Sequence, residues 1–280
     1  MSVVVFGGGY LGQRLARALP GAMLVAADIA DPAAVAGALR ATGAGVAVNA
    51  AGKTGRPNVD WCEAHRDETW RSNADGPAVL AEVCAEQDVH LVHLSSGCIF
   101  DGPSPSPGGW REDDVPPTPR SVYARSKWAG EQALTAHEDV AIVRVRMPID
   151  AVPHPRNLIS KLAAYAQVVD VENSVTVVDD LVDVIGALVR LRATGVFHAT
   201  NPGSVRHRDL LALYRKLVDP THTYTLIDEP ALLARGLATV PRSNCILASS
   251  RLEALGLAMP PIAVALPDLL RRYAASRALP

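Results

Sequence analysis

Val3-Val4-Val5-Phe6 is a short, β-branched run with no polar residue inside it, which predicts a strand buried on both faces of a parallel sheet. Glycines follow at once, and a helical stretch runs from Gln13 to Leu19. The pattern then repeats. Ala22 to Ala27 is a second apolar run, Pro32 opens a helix through Arg40, and Val46 to Ala51 reads as a strand ending at Gly52. Ala78 to Glu86 predicts a helix feeding a strand from Val89 to Leu94. A helix from Ser121 to about His137 precedes a strand from Val140 to Val145. Strands alternating with helices predict an α/β fold, a Rossmann-like doubly wound parallel sheet.

Residues 102 to 120 interrupt that rhythm, because Gly102-Pro103-Ser104-Pro105-Ser106-Pro107-Gly108-Gly109 is too rich in proline and glycine for regular structure. A loop of this length in a compact domain is usually functional or disordered. Beyond Met147 one further strand-helix-strand unit is visible at Val175 to Val178, Leu181 to Leu191 and Val196 to His198. The last 80 residues read as short helices and turns. The expected division is a nucleotide-binding sheet over 1–147, to which 175–199 returns. A smaller, mostly C-terminal substrate-binding region then spans 148–174 and 200–280 and caps the strand ends.

Composition narrows the function class. Forty-nine per cent hydrophobic residues exclude a disordered chain. With 27 basic and 29 acidic side chains and no dense basic run, nucleic acid is not an expected partner. No apolar stretch approaches the roughly 18 to 20 residues that span a bilayer. Met1-Ser2-Val3-Val4-Val5 carries no cationic leader, and 4 cysteines make no disulfide framework. A soluble cytoplasmic protein is the expectation. Only four basic residues are lysines, Lys53, Lys127, Lys161 and Lys216, and arginine does not replace lysine in every role.

Gly7-x-Gly9-x-x-Gly12 lies between a predicted strand and a predicted helix, where the backbone can approach a pyrophosphate that the helix N-terminus attracts. Tyr10 and Leu11 lie inside that loop, and Ala50, Ala51 and Gly52 end the third strand, so all are candidate cofactor contacts. Asp28 ends the second apolar run and suits a ribose hydroxyl; alternatively Asp28-Ile29-Ala30-Asp31 belongs to a third strand contacting adenine, or Asp28 is a solvated turn residue. Tyr123-x-x-x-Lys127 puts both side chains on one helix face. With 6 tyrosines and four lysines in the chain, chance rarely produces that pair. The chemistry asks for it: a tyrosine acid/base needs its pKa lowered from about 10, and an ammonium nearby does that while holding a ribose diol. Ser95-Ser96-Gly97-Cys98 follows a strand end, where a serine can hydrogen-bond a substrate carbonyl. Cys62-x-x-His65 and His90-x-x-His93 have half of a metal-site spacing with no second half, so no metal is expected. His154, His207 and His222 are isolated and read as surface residues.

The glycine loop, a strand-end serine and Tyr-x-x-x-Lys together resemble the extended short-chain dehydrogenase/reductase superfamily. Asn49-Ala50-Ala51-Gly52 and Thr54-Gly55-Arg56-Pro57-Asn58-Val59-Asp60-Trp61-Cys62-Glu63 are similar, more narrowly, to the plant bifunctional nucleotide-rhamnose 3,5-epimerase/4-reductases. So are Gly97-Cys98-Ile99-Phe100, Arg144-Val145-Arg146-Met147-Pro148-Ile149, Pro155-Arg156-Asn157, Thr200-Asn201-Pro202-Gly203 and Pro241-Arg242-Ser243-Asn244. These segments span residues 49–244. The dTDP-4-dehydrorhamnose reductases are a more distant likeness.

The resemblance implies NADP(H)- or NAD(H)-dependent processing of a nucleotide-diphosphate sugar, a 4-keto-6-deoxyhexose, with a homodimer as a possible assembly. It implies Ser96, Tyr123 and Lys127 as the reductase triad. Cys98 takes the place of a catalytic cysteine in the similar GDP-fucose synthases, where simple 4-reductases carry tyrosine. Arg156 and Arg242 suit the diphosphate, Asn157 and Asn244 the base or sugar, and Lys161 the same region. The two rival readings are a 4-ketoreductase without epimerase activity and a non-catalytic, dinucleotide-binding regulatory subunit. The plant-type glycine loop is one residue longer, and the stretch before Asn49 is short enough for a strand or helix to be missing. Arg14 or Arg17 would favour a 2′-phosphate and Asp28 would disfavour one, so the choice of dinucleotide stays open.

Overall fold

A computed structural model describes residues 2–277 of the chain, so Met1 of the leading run and the last three residues of the expected C-terminal region lie outside it. Five apolar runs become strands: β1 (Val3–Phe6), β2 (Ala22–Val25), β3 (Val46–Asn49), β4 (His90–Ser96) and β5 (Val140–Val145). With Gly195–Ala199 they form a six-stranded sheet in the order β2-β1-β3-β4-β5-(Gly195–Ala199). β1 runs parallel to β2 and to β3, and β3 runs parallel to β4. The chain thus winds outward from β1 to β2, then returns across β1 to β3. That reversal makes the crevice beyond the β1 and β3 ends the topological switch point.

β2 is the sheet edge, and among the described residues no further strand lies outside it. The alternative that residues 28–31 form a third strand is therefore corrected. β2 stops at Val25, and Asp31 instead caps helix α2 (Pro32–Thr42), its carboxylate accepting from the amides of Ala33 and Ala34 at 2.9 and 3.2 Å. A capping aspartate followed by proline starts a helix before a strand can extend. The short stretch before Asn49 is thus a sheet with one strand outside β1.

The unit built on this sheet comprises 1–99, 116–144 and 182–197. Val4, Phe6, Ala47, Leu91 and Ile142 pack with Val35 and Leu39 of α2, Leu80 and Cys84 of the Gly76–Glu86 helix, and Leu134 of the Val122–Leu134 helix. The alternate strand positions Val3, Val5, Val46 and Val48 are equally buried. Burial on both faces is why these strands read as unbroken β-branched runs.

The helix carrying Tyr123 and Lys127 is fixed at its start by two oxygens. Ser121 Oγ accepts from the Ala124 amide at 3.1 Å, and Glu63 Oε1 accepts from the Val122 amide at 2.7 Å. Ser121→Ala is expected to cost about 1 kcal/mol of stability, read from the urea midpoint, because Glu63 still holds one of the orphan donors. Sequence patterning gave no elements between Gly52 and Gly76. Here the chain forms Trp61–Ala64, Arg66–Trp70 and a π-helical turn at Arg71–Asp75. The Asn73 carbonyl in that turn lies where a Cβ on Gly130 would fall, 2.2 Å away, so glycine lets the two helices touch.

The second unit comprises 100–115, 145–181 and 198 onward. Its core gathers Ile149, Ile159, Leu162, Val177, Leu210, Leu211, Tyr214, Leu269 and Leu270. Three two-stranded pairs brace it: Pro148–Ile149 with Thr176–Val177, Glu172–Asn173 with Val205–Arg206, and Gln167–Val169 with Thr225–Ile227. The expectation of only short helices after residue 200 is corrected by His207–Leu217 and by Ile262–Arg277, sixteen residues long. Pro267 hides the second from a sequence reading, yet Leu266, Leu269, Leu270 and Tyr273 keep helical spacing and are all buried. The proline-rich loop is held by backbone bonds at 2.8 Å, Gly102 N to Asn244 O, Trp110 N to Ile246 O and Ala248 N to Trp110 O. Its place by chain position is with the sheet, but its hydrogen bonds run to residues 244–248. Among the described residues, no helix is long and apolar enough to cross a membrane.

Candidate active site

The glycine loop sits at the switch point. Gly7 has φ +100°, and a Cβ there would lie 2.4 Å from the Ala51 amide nitrogen; a Cβ on Gly12 would lie 1.8 Å from the Gly7 carbonyl oxygen. These two glycines weld the loop to Ala50 and Ala51 at the end of β3. Gly8 and Gly9 differ, because a Cβ at either meets nothing within 4 Å. Gly9 begins helix α1 (Tyr10–Ala18), which has no side-chain cap and no acidic residue in its first turn. Uncapped helix N–H groups beside open space fit an anionic group such as a pyrophosphate. Tyr10 and Leu11 are half-buried in the first turn. Asp28 is in a turn beyond β2. It accepts from the Ala30 amide and pairs with Arg71 Nη1 at 2.6 Å, and these bonds hold its carboxyl below the ordinary range. Arg71 escaped the sequence reading.

Ser96 is the last residue of β4, and Cys98 follows in the one-turn helix Gly97–Ile99. Ser96 Oγ accepts from the Cys98 amide at 3.2 Å, which leaves its O–H to donate. Cys98 is half-buried against the cluster formed by Cys62, Val122 and Tyr123. Tyr123 and Lys127 are both buried, one helical turn apart. Ser96, Cys98, Tyr123 and Lys127 thus lie toward one end of β4.

Lys127 Nζ donates to the Leu94 carbonyl at 2.9 Å and lies 3.4 Å from His93 Nε2. Burial pushes its pKa down to about 8, with the Glu131 carboxylate pulling partly back. The folded value lies below the ordinary one, so the folded chain holds fewer protons than the unfolded chain between about pH 8 and 10.5. Lys127 therefore adds to stability as pH rises through that window. Glu131 is itself buried: Arg144 grips it through Nη2 at 2.7 Å and Nε at 3.0 Å, and Ser95 Oγ donates to its other oxygen. Asn73, which the sequence analysis did not single out, donates to Ser126 Oγ at 3.1 Å and to the Lys53 carbonyl at 2.9 Å, and accepts from the Lys53 amide at 2.8 Å. It ties the loop after Gly52 to the Tyr123–Lys127 helix. Lys53 itself pairs with Glu68 at 3.4 Å.

In the second unit, Arg156, Lys161 and Arg242 are half-buried, and the two guanidinium charges lower the Lys161 pKa after burial itself. Three cations that repel each other mark a place suited to an anion. Asn157 and Asn244 both have hydrogen-bond partners within the chain. Asn157 is fully buried and caps the Leu158–Ala164 helix, its Oδ1 accepting from the Ile159 amide at 3.0 Å while its Nδ2 donates to the Asp150 and Val152 carbonyls. Asn244 accepts from Asn173 Nδ2 at 3.1 Å and donates to the Arg242 carbonyl at 3.3 Å. Both hold the loops that carry the arginines. His207 is also corrected from surface to core: it starts a helix and its Nδ1 meets the Val169 carbonyl at 2.8 Å.

Known proteins are similar to this chain in sequence and in fold. A bifunctional dTDP-4-dehydrorhamnose 3,5-epimerase/dTDP-4-dehydrorhamnose reductase of Arabidopsis thaliana is 40% identical over 213 residues, 73% of this chain and 69% of that protein. A dTDP-4-dehydrorhamnose reductase of Mycobacterium tuberculosis is 34% identical over 242 residues, 81% of this chain and 75% of that one. The chain spans less than a third of the length of the trifunctional Arabidopsis proteins it also matches. The crystal structure of the L780 UDP-rhamnose synthase from Acanthamoeba polyphaga mimivirus superposes with a TM-score of 0.90 at 27% identity, covering 96% of this chain and 99% of that one. The sheet order, the glycine loop and the Tyr123–Lys127 helix all fall within residues 1–245, which match the RmlD substrate binding domain, and the chain belongs to that family.

Proposed function

We propose that the chain reduces a nucleotide-linked 4-keto-6-deoxyhexose with NADPH or NADH, after 3,5-epimerisation, to give a nucleotide-L-rhamnose or a related deoxysugar. The observation that carries this reading is the buried Tyr123–Lys127 pair beside Ser96 and Cys98 at the end of one strand. The named activities of the Arabidopsis and mycobacterial relatives and of the viral synthase support it.

A ketone at C4 acidifies the hydrogens at C3 and C5. The carbon-bound proton passes to solvent water as the hydroxyls of Ser96 and Tyr123 stabilise the charge that builds on the oxygen; the Cys98 thiol then delivers a proton to the opposite face of the carbon, and the thiolate left behind is reprotonated from solvent. Tyr123 then gives its proton to the C4 oxygen as reduction occurs, with Lys127 stabilising the phenolate that remains. The dinucleotide, held at Gly7–Gly12 and Ala50–Gly52, supplies hydride when bound. Asp28 beside Arg71 offers both an acceptor for a ribose hydroxyl and a cation for a 2′-phosphate, so neither dinucleotide is disfavoured outright. Arg156, Lys161 and Arg242 take the diphosphate.

The deciding experiment is incubation with a panel of nucleotide 4-keto sugars and each reduced dinucleotide in deuterated water. Turnover with deuterium at C3 and C5 supports both steps, turnover without it leaves a 4-ketoreductase, and no turnover sinks the reading. Cys98→Ala is expected to abolish the exchange while pre-epimerised substrate is still reduced.

A further inference from the structure

His93 is fully buried, and the chemistry above does not use it. Its surroundings fix which ring nitrogen carries the proton. Asn49 Oδ1 accepts from the Ala51 amide at 3.0 Å, and a backbone amide can only donate, so the Asn49 group facing His93 Nδ1 at 2.9 Å is the NH2. Nδ1 must then accept. Burial, reinforced by the Lys127 charge, holds His93 neutral, and a neutral ring whose Nδ1 accepts has its hydrogen on Nε2. Nε2 is 3.4 Å from Lys127 Nζ. Against an ammonium that contact sets donor against donor; against a free amine it is a hydrogen bond.

We propose that His93, locked by Asn49 in the Nε2–H form, is a positioning residue that aims its ring N–H at Lys127 Nζ and favours the free amine over the ammonium. The inference rests on the reading of Lys127 as the partner of Tyr123 for its role in reduction, though not for its geometry. Other groups pull the opposite way. The Leu94 carbonyl accepts from Nζ, and Glu131, one turn further along the same helix, attracts positive charge that Arg144 of β5 partly neutralises. Tyr123 lies one turn before it. Lys127 is thus poised between these oxygens and the imidazole N–H. Reduction that needs the ammonium beside Tyr123 is expected to fall on the alkaline side as Lys127 loses its proton.

With four lysines in the chain, labelled lysine gives four side-chain resonances, and Lys127→Arg assigns one of them. Nitrogen-15 spectra of the wild-type protein should show His93 with an unprotonated Nδ1 and a protonated Nε2. His93→Phe removes the ring N–H and should raise the Lys127 titration by about one pH unit. Asn49→Asp should raise it further, because a carboxylate accepts from both the Ala51 amide and a protonated Nδ1, which turns the Nε2 lone pair toward the ammonium. Lys53 and Lys216 should not move, and the alkaline limb of the reduction profile should follow Lys127 upward. A protonated Nδ1 in the wild type, or an unmoved Lys127 in folded variants, overturns the proposal. The wild-type spectrum decides even where a variant does not fold. Shifted lysine resonances without any reductase activity would fault the functional reading and leave the His93 assignment standing.

Discussion

Tyr123→Phe is expected to lower kcat for 4-keto reduction by about 10²- to 10⁴-fold, the usual share of a positioned acid, with KM nearly unchanged. The change removes one oxygen and no ring volume, so the Cys62, Val122 and Tyr123 cluster keeps its packing. Near-wild-type thermal unfolding should accompany the loss. If the phenol were only a packing group, neither kcat nor the melting temperature would move. Lys127→Met should lower kcat as well, but it also leaves the Leu94 carbonyl and His93 without their partner. Its effect on stability is therefore mixed, and Tyr123→Phe is the cleaner measurement. A regulatory dinucleotide binder predicts no change in either variant.

The parts of this molecule that a sequence reading reaches are those whose signal is local. β1, β3 and β5 are legible because burial on both faces leaves continuous apolar runs, and the Tyr-x-x-x-Lys pair is legible because four residues make a helical turn. Asn73 and His93 are not legible, since their roles depend on residues 20 to 53 positions away that only the fold brings near. His93 even carried a misleading local cue, the His90-x-x-His93 spacing, whereas the two rings have separate partners, Asp139 at 2.5 Å for His90 and Asn49 for His93. One weak sign of Asn73 existed: Gly130 inside a helix costs about 1 kcal/mol and so hints at a close neighbour. Asn157 and Asn244, expected beside the base or sugar, also have partners that no local pattern announces. Their amides bond to backbone and neighbouring side chains, and no local pattern distinguishes a cap from a ligand contact.

Gly12→Ala is expected to be the most disruptive single change in the glycine loop. Its Cβ would lie 1.8 Å from the Gly7 carbonyl oxygen and 3.0 Å from the Gly7 carbonyl carbon. Those are backbone atoms in a loop already fixed against Ala51, so no side chain can rotate aside. Relief requires α1 to move off β1, with a loss of roughly 1 to 3 kcal/mol or more from overpacking alone. Dinucleotide affinity should fall with it, because the helix start that would meet the pyrophosphate is displaced. Gly9→Ala separates the two effects. Its Cβ meets no protein atom within 4 Å, and Gly9 has an ordinary extended backbone with φ −76°, so folding should be preserved. The same methyl would enter the space in front of the first helical amides, where a phosphate has to approach. Calorimetric titration should then show weaker dinucleotide binding with an unchanged melting temperature. Equal binding by Gly9→Ala and the wild type would instead mean that the loop is a packing turn and that the dinucleotide, if bound, lies elsewhere.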